Sequence, residues 1–452
     1  MTQRESDLHE GAGAPTAVME PSAADLRRAR WAGFVGTFLE NFDMVIYSTA
    51  TALVFNQVFF PNVDPIIGYI SSFGAYAVGF GARPLGGLFF SRFGDRLGRR
   101  FVMVATLYLM GTATFAMGLL PTYAQVGLLA PILLVACRFL QGFGAGAEMA
   151  SGVVLLTEYA PTGRRGRTAS MVWVGAAVGF VAAALVWMLV QSLLSKDALL
   201  EFGWRIVFLS SIVVTIAAYV IRRTMKESPV FEEVKEQARE QASTPIREVF
   251  RNGRRPLLAA GLINIGSNGQ SYIYSAFLGA YLVGTVQIDA AIVPLMLLIG
   301  GIAAIPGAYL AGRAIDKFGR RPVSIVIMST LIVFAAPAFL LLNTGNLALI
   351  AVCYIVGFVF AVEGAPAAQS PLFAELFGSQ YRYAGVAIAR EFSAILGGGI
   401  APIVCAWLLA VFSGSFWPIV MYMILIAAIS LVTVLRLPET KDRDLLIAKD
   451  AI

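Results

Sequence analysis

"GDRLGRR" at residues 94–100 and its echo "DKFGRRP" at 316–322 decide how this chain is read. Each sets an acid, glycine and several cations directly between apolar runs. Their aspartates, Asp95 and Asp316, stand 221 residues apart in a chain of 452. A second pair repeats at nearly the same offset: "LLTEYAPTGRRG" at 155–166 and "LFAELFGSQYR" at 372–382, with Glu158 and Glu375 separated by 217 residues. The chain is therefore two related halves in tandem.

Between these motifs the sequence is strongly apolar. Hydrophobic residues make up 58%, charged residues 14%, and mean hydropathy is +0.74, against roughly 45–50% apolar and about 25% charged in soluble domains. Stretches of about 20 apolar residues, the length that crosses a bilayer as helix, begin near Trp31, Ile66, Phe101, Gly127, Thr168 and Gly203. A second set begins near Pro256, Ala290, Val323, Leu347, Ala384 and Ser415. The expected fold is an all-α membrane protein with twelve transmembrane helices in two pseudo-symmetric six-helix bundles. Residues 31–221 and 256–436 form the bundles. Residues 1–30 form a flexible tail, 222–255 a linker charged in both signs, and 437–452 a short terminal tail.

Charge along the chain sets the orientation. Arg92, Arg96, Arg99 and Arg100, then Arg164, Arg165 and Arg167, then Arg313, Lys317, Arg320 and Arg321 lie in alternate connections, and the other connections are nearly free of Lys and Arg. Basic loops stay inside, so both termini are expected in the cytoplasm. This distribution accounts for the net charge of +6 without nucleic acid. The lone histidine, His9, lies in the first tail, so proton chemistry at membrane depth falls to carboxylates. Cys137, Cys353 and Cys405 all sit in apolar runs and are odd in number, which argues against a disulfide framework.

"GDRLGRR" and "RFLQGFGAG" (138–146) resemble motifs of the major facilitator superfamily. "ENFDMVIY" (40–47), "GFGARPLGGLFFSRFGDRLGRR" (79–100), "GLLPTYAQVGLLAPILL" (118–134), "GWRIVFLSS" (203–211) and "KESPVFEE" (226–233) resemble its metabolite:proton symporter family more specifically. "GAGAEMASG" at the end of helix 4 departs from that pattern, having one glycine fewer before Glu148. The resemblance implies a multi-pass transporter of a bacterial inner membrane, expected to act as a monomer. It would need no cofactor, and the proton gradient would drive it.

Ionisable groups deep in a bilayer cost roughly 2.5 kcal/mol or more and mark function by default. Helical rise places Asp43 roughly 18 Å above Trp31 and Arg138 roughly 16 Å below Gly127, both near mid-membrane. They are expected to form a proton-sensitive ion pair between helices 1 and 4. The alternative is a permanent salt bridge that only fastens those helices. Glu40, one turn below Asp43, is a second proton site or a cavity residue with its own partner. Glu148 either relays protons or pairs with Arg83. Tyr47, Arg138, Gln141, Asn268, Gln270, Tyr272 and Arg390 are candidates to bind substrate, and Asn264 and Tyr274 complete the polar stretch of helix 7. Arg390 has an alternative role in an ion pair with Glu363 or Glu391.

Asp95 and Arg99 in the first half are expected to latch the bundles together, with Asp95 meeting the start of helix 11. Glu158 with Arg167, and Asp316, Arg320 and Glu375, are the parallel candidates. The resemblance implies proton-coupled import of a small polar organic acid by alternating access, with the shikimate-type branch closest over residues 382–404. Zwitterionic osmolytes and di- or tricarboxylates are the alternatives. A drug:proton antiporter is disfavoured because helix 5 has no proline. An integral membrane enzyme lacks any nucleophile motif or metal-ligand spacing.

Overall fold

The computed structural model describes residues 23–97, 99–146, 156–157, 160–161, 163–224, 246–379, 382–441, 443–445, 447 and 449–452. Among them, twelve long helices pack as two bundles. The first holds α1 (Ala23–Ala50), α2 (Pro65–Leu97), α3 (Arg99–Gly118), α4 (Leu129–Ala145), α5 (Arg165–Leu193) and α6 (Trp204–Thr224). The second holds α7 (Arg254–Tyr272), α8 (Ile292–Phe318), α9 (Arg320–Leu342) and α12 (Trp417–Leu435). It also holds two interrupted helices, α10 (Leu347–Gly357 and Gly364–Leu376) and α11 (Arg382–Ser393 and Ile400–Val411).

Eleven helices begin within three residues of the apolar starts read from sequence. The exception is α1, which begins at Ala23, eight residues before Trp31. Its extra turns are charged, and Arg30 within them donates to Thr168 Oγ1 on α5 at 3.3 Å. That shortens the expected flexible tail. Six helices, α5 and α8 to α12, are apolar enough to span a membrane on composition alone. Helices α1 and α7 read as less apolar because they carry acids or amides toward the interior of the molecule, where a polar group can find a partner.

Glycines let the helices of the first bundle approach backbone to backbone. A β-carbon on Gly142 of α4 would stand 1.9 Å from the carbonyl oxygen of Gly79 on α2, and one on Gly86 would stand 1.8 Å from that of Phe143. This is the small-residue packing that membrane helices use in the absence of a hydrophobic drive between them. Helices α1 and α5 meet the same way at Gly175 and Gly179, and Thr37 Oγ1 donates across that seam to Val172 O at 2.6 Å.

The bundles dock α5 against α8 and α2 against α11. At the end where the basic loops gather, Gly166 and Gly312 bring α5 and α8 together; this is called the basic end below. At the opposite end the halves also touch. There α1 continues through a wider turn, Thr51–Phe55, and the β-carbon of Ala52 lies 3.4 Å from the position a β-carbon on Gly279 would take. Tyr69 of α2 packs on Gly284. Beyond α12 the chain folds back over the basic end of α10, where Ala451 N donates to Leu376 O and Ser379 N to Ile447 O, each at 3.0 Å. Most of the expected 222–255 linker lies outside the described residues.

Candidate functional site

Between the two contact zones lies a cavity of about 40 Å³, a few times the ~10–15 Å³ that one water needs. Both halves line it: Asn41, Met44 and Ser48 from α1, Tyr76 and Arg83 from α2, and Trp173 and Phe180 from α5. From the other half come Asn264, Asn268, Ser271 and Tyr272 of α7, Glu363 of α10, and Arg390 and Glu391 of α11.

Arg83 is the cation that joins the bundles. Its Nη2 lies 2.5 Å from Glu40 Oε1 and its Nε 3.2 Å from Glu391 Oε2, so a single buried guanidinium bridges α1, α2 and α11. Glu40 thus has a partner of its own, and it is Arg83. The expected Glu148–Arg83 pair falls partly outside the described residues, because Glu148 does; the partners seen for Arg83 are the other two acids. Glu391 pairs with Arg83, and the guanidinium carbon of Arg390 stands 5.4 Å from the ring centroid of Trp173.

The direct Asp43–Arg138 ion pair expected from their matching depth is absent from the structure. Asp43 Oδ2 accepts from Thr114 Oγ1 at 3.0 Å, Thr114 Oγ1 accepts from Gln141 Nε2 at 2.7 Å, and Gln141 Oε1 accepts from Arg138 Nη1. The physical reason is lateral. Thr114 of α3 stands beside the acid, and the Arg138 guanidinium is drawn over aromatic faces, 3.9 Å from the ring centroid of Tyr47 and 4.6 Å from that of Tyr76. A cation held over two rings is compensated without a carboxylate. Glu40, Asp43, Arg138 and Gln141 nonetheless line one small side space of about 10 Å³, and Met44 lines both this space and the main cavity.

Asn268, Tyr272 and Arg390 line the main cavity, whereas Arg138 and Gln141 line the side space. Tyr47 and Gln270 do neither. The Tyr47 ring stacks on Tyr76 and its hydroxyl reaches Ser72 O at 3.4 Å. Gln270 is turned to the α7–α12 seam and donates to Met423 O at 2.7 Å. Helix α7 is polar on more than one face, so its amides divide between the cavity and its neighbours. Tyr274 packs on Gly357 rather than on the cavity.

At the basic end the second-half motif grips the first half. Asp316 Oδ1 accepts from Gly166 N at 2.7 Å and Oδ2 from Arg167 N at 2.8 Å, so its carboxylate sits on the first turn of α5. Anions are favoured there by the unpaired amides and the helix dipole. Beside it, Arg320 binds Glu375 through two bonds of 2.9 and 2.8 Å, and Arg165 Nη1 reaches Glu375 Oε1 at 3.2 Å. Thr440 Oγ1 adds a bond to Glu375 Oε2 at 2.8 Å. The Arg167 guanidinium carbon lies 5.5 Å from the ring centroid of Tyr309. Glu158 lies outside the described residues, as do the side chains of Asp95 and Arg99. At the opposite end Lys196 and Asp289, both well exposed, pair at 3.3 Å across the halves, a contact worth little by itself.

Residues of these networks that were not proposed as site residues from sequence include Tyr76, Thr114, Arg165, Trp173 and Thr440. Thr114 and Trp173 are polar groups inside apolar spans, and that is the signal that would have found them.

A family model described as Major Facilitator Superfamily matches residues 33–390. The chain is 33% identical over 424 residues to the shikimate transporter of Escherichia coli (strain K12), covering 93% of this chain and 96% of that one. It is 33% identical over 423 residues to the inner membrane metabolite transport protein YhjE of the same organism, covering 92% and 94%. Among solved structures, the crystal structure of a D-xylose-proton symporter superposes with a TM-score of 0.70 at 19% identity, covering 92% of this chain and 99% of that one. That likeness is one of fold.

Proposed function

Because the chain belongs to the major facilitator superfamily and is a multi-pass membrane transporter, we propose that it is a proton-coupled symporter importing a small hydroxylated or aromatic monocarboxylic acid across a bacterial inner membrane. The observation that carries this reading is the balance of buried charge around the cavity and its side space. Among the described residues, four carboxyls, Glu40, Asp43, Glu363 and Glu391, face three arginines, Arg83, Arg138 and Arg390. With all of them ionised the site holds one negative charge too many. An incoming carboxylate would add a second, at several kcal/mol for each uncompensated buried ion. A proton entering with the substrate offsets the charge that the substrate adds, so the two are taken up together.

Asp43 is the group proposed to receive the proton. It is joined to Arg138 through the neutral groups of Thr114 and Gln141, so protonation does not rupture a direct salt bridge, a loss that costs roughly 3–5 kcal/mol when buried. The change in charge still reaches Arg138 along the relay. Arg390, with Asn268 and Tyr272, is proposed to hold the substrate carboxylate. The basic end is proposed to face the cytoplasm. Transport then requires the Asp316–α5 and Glu375 contacts to open in alternation with those near Ala52 and Gly279. One proton with one monoanion moves no net charge, so the pH gradient alone would drive the cycle.

The test is uptake of shikimate into proteoliposomes under an imposed pH gradient, alongside exchange of labelled for unlabelled shikimate without any gradient. Asp43→Asn is expected to abolish accumulation against a gradient while exchange continues. Full accumulation by Asp43→Asn would overturn the coupling role, and a wild type that exchanges no carboxylate would overturn the substrate class.

A further inference from the structure

Resting on that reading of the cavity, we propose that Glu363 is a specificity-determining binding residue. Its carboxylate takes the hydrogen-bond-donor end of the substrate, so the transporter selects acids bearing a hydroxyl or ammonium group over acids whose far end is apolar. Glu363 is 1% exposed and lines the main cavity, and among the described residues its side chain makes neither a hydrogen bond nor an ion pair. The other buried acids of the core all have partners. Glu40 and Glu391 have Arg83, Asp43 has Thr114, and Glu375 has Arg320. A buried carboxyl with no partner is costly and calls for an explanation.

Local backbone shows that the side chain is not occupied with holding the fold. Helix α10 opens into a wider turn at Phe358–Val362, and Glu363, at φ −118°, is the hinge residue before the helix resumes at Gly364. Its backbone is fully used, the amide donating to Phe358 O at 3.1 Å and the carbonyl accepting from Ala367 N at 3.0 Å. Its side chain does not cap the helix that follows. The turn is held tight without it, since a β-carbon on Gly364 would stand 2.0 Å from Val359 O. The carboxyl is thus presented to the cavity by the break in α10.

The chemistry follows from what lines the same space. Arg390 and the amide of Asn268 suit a carboxylate, and Glu363 supplies an acceptor for a donor. A site with both recognises a two-ended molecule. Losing one hydrogen bond to a charged acceptor lowers affinity roughly tenfold to a hundredfold.

The experiment compares wild type with Glu363→Gln and Glu363→Asp in proteoliposomes, by gradient-free exchange of shikimate, of the same ring acid lacking hydroxyls, and of proline as an ammonium-bearing acid. Glu363→Gln keeps one acceptor oxygen and replaces the other with a donor, so it is expected to raise KM for shikimate about tenfold and to leave the dehydroxylated acid unchanged, which narrows the preference between them. Proline behaving like shikimate assigns the donor to either group; proline unaffected or not exchanged assigns it to hydroxyl alone. An intact preference between the two ring acids overturns the proposal, whether neither shifts or both shift equally. If Glu363→Gln does not fold, Glu363→Asp keeps the charge but withdraws it by one methylene, and the same comparison decides. Exchange without a gradient separates a failure here from a failure of proton coupling.

Discussion

Gly142→Ala is expected to leave little folded protein. The added β-carbon would lie 1.9 Å from the carbonyl oxygen of Gly79 and 2.6 and 2.7 Å from its C and Cα atoms. All three neighbours are backbone, so no rotamer change relieves the clash and α2 and α4 must part. Overpacking ordinarily costs about 1–3 kcal/mol, and a clash with rigid backbone in a seam that also relies on Gly86 and Gly146 sits at or above the upper end of that range. The damage reaches the site, because Arg138 and Gln141 flank Gly142 in sequence and ride on α4. Gly81→Ala, in the same bundle with nothing within 4 Å, is the control and is expected to be neutral. Both can be followed by thermal unfolding with a thiol-reactive dye, since Cys353 and Cys405 are buried and Cys137 is partly buried. Equal melting of the two variants would show that the glycine seam does not hold α2 to α4.

The second large effect is expected from Glu375→Gln. Glu375 accepts two bonds from Arg320, one from Arg165 and one from Thr440, and Arg320 is fully buried. Removing the charge breaks the buried pair with Arg165, a loss of roughly 3–5 kcal/mol, while Arg320 keeps Asp316 at 3.8 Å. Because Arg165 belongs to the first half and Glu375 to the second, that cost falls on the arrangement in which the basic end is closed. A shift of 3 kcal/mol moves a two-state equilibrium by about a hundredfold. The readout is a cysteine at Ser170, fully buried beside Gly312, on a background without the native cysteines. With Glu375→Gln, a water-soluble thiol reagent applied at the basic end should modify it at least about tenfold faster, a part of the hundredfold ceiling. Unchanged labelling in a stable variant would show that Glu375 does not hold that end shut.

Much of the architecture was legible because hydropathy reports length and depth. Twelve apolar runs gave twelve helices, and the repeat of Asp95 in Asp316 gave two halves. Depth also brought Asp43 and Arg138 to one level. Rotation about each helix axis was not legible. Spacing along α1 and α4 cannot reveal that Thr114 of a third helix stands beside the acid, or that two tyrosine rings attract the guanidinium. On α7 the amides spread around the helix, so nothing in their order separates Asn268, which faces the cavity, from Gln270, which faces α12. Arg83 was readable as the partner of an acid, but its pairing with Glu391 depends on how the halves dock. No sequence pattern within one half encodes that docking.

The grip of Asp316 on α5 has a consequence for how this contact can be traced through evolution. The carboxylate is held by the main-chain amides of Gly166 and Arg167, groups that every residue except proline supplies. Position 167 can therefore change side chain without loosening the hold, whereas position 166 is confined to glycine because a β-carbon there would stand 2.4 Å from Gly312 O. Statistical coupling between aligned positions would be silent about this contact between the two halves, because Asp316 and Gly166 would each register as constrained and neither would covary with the other.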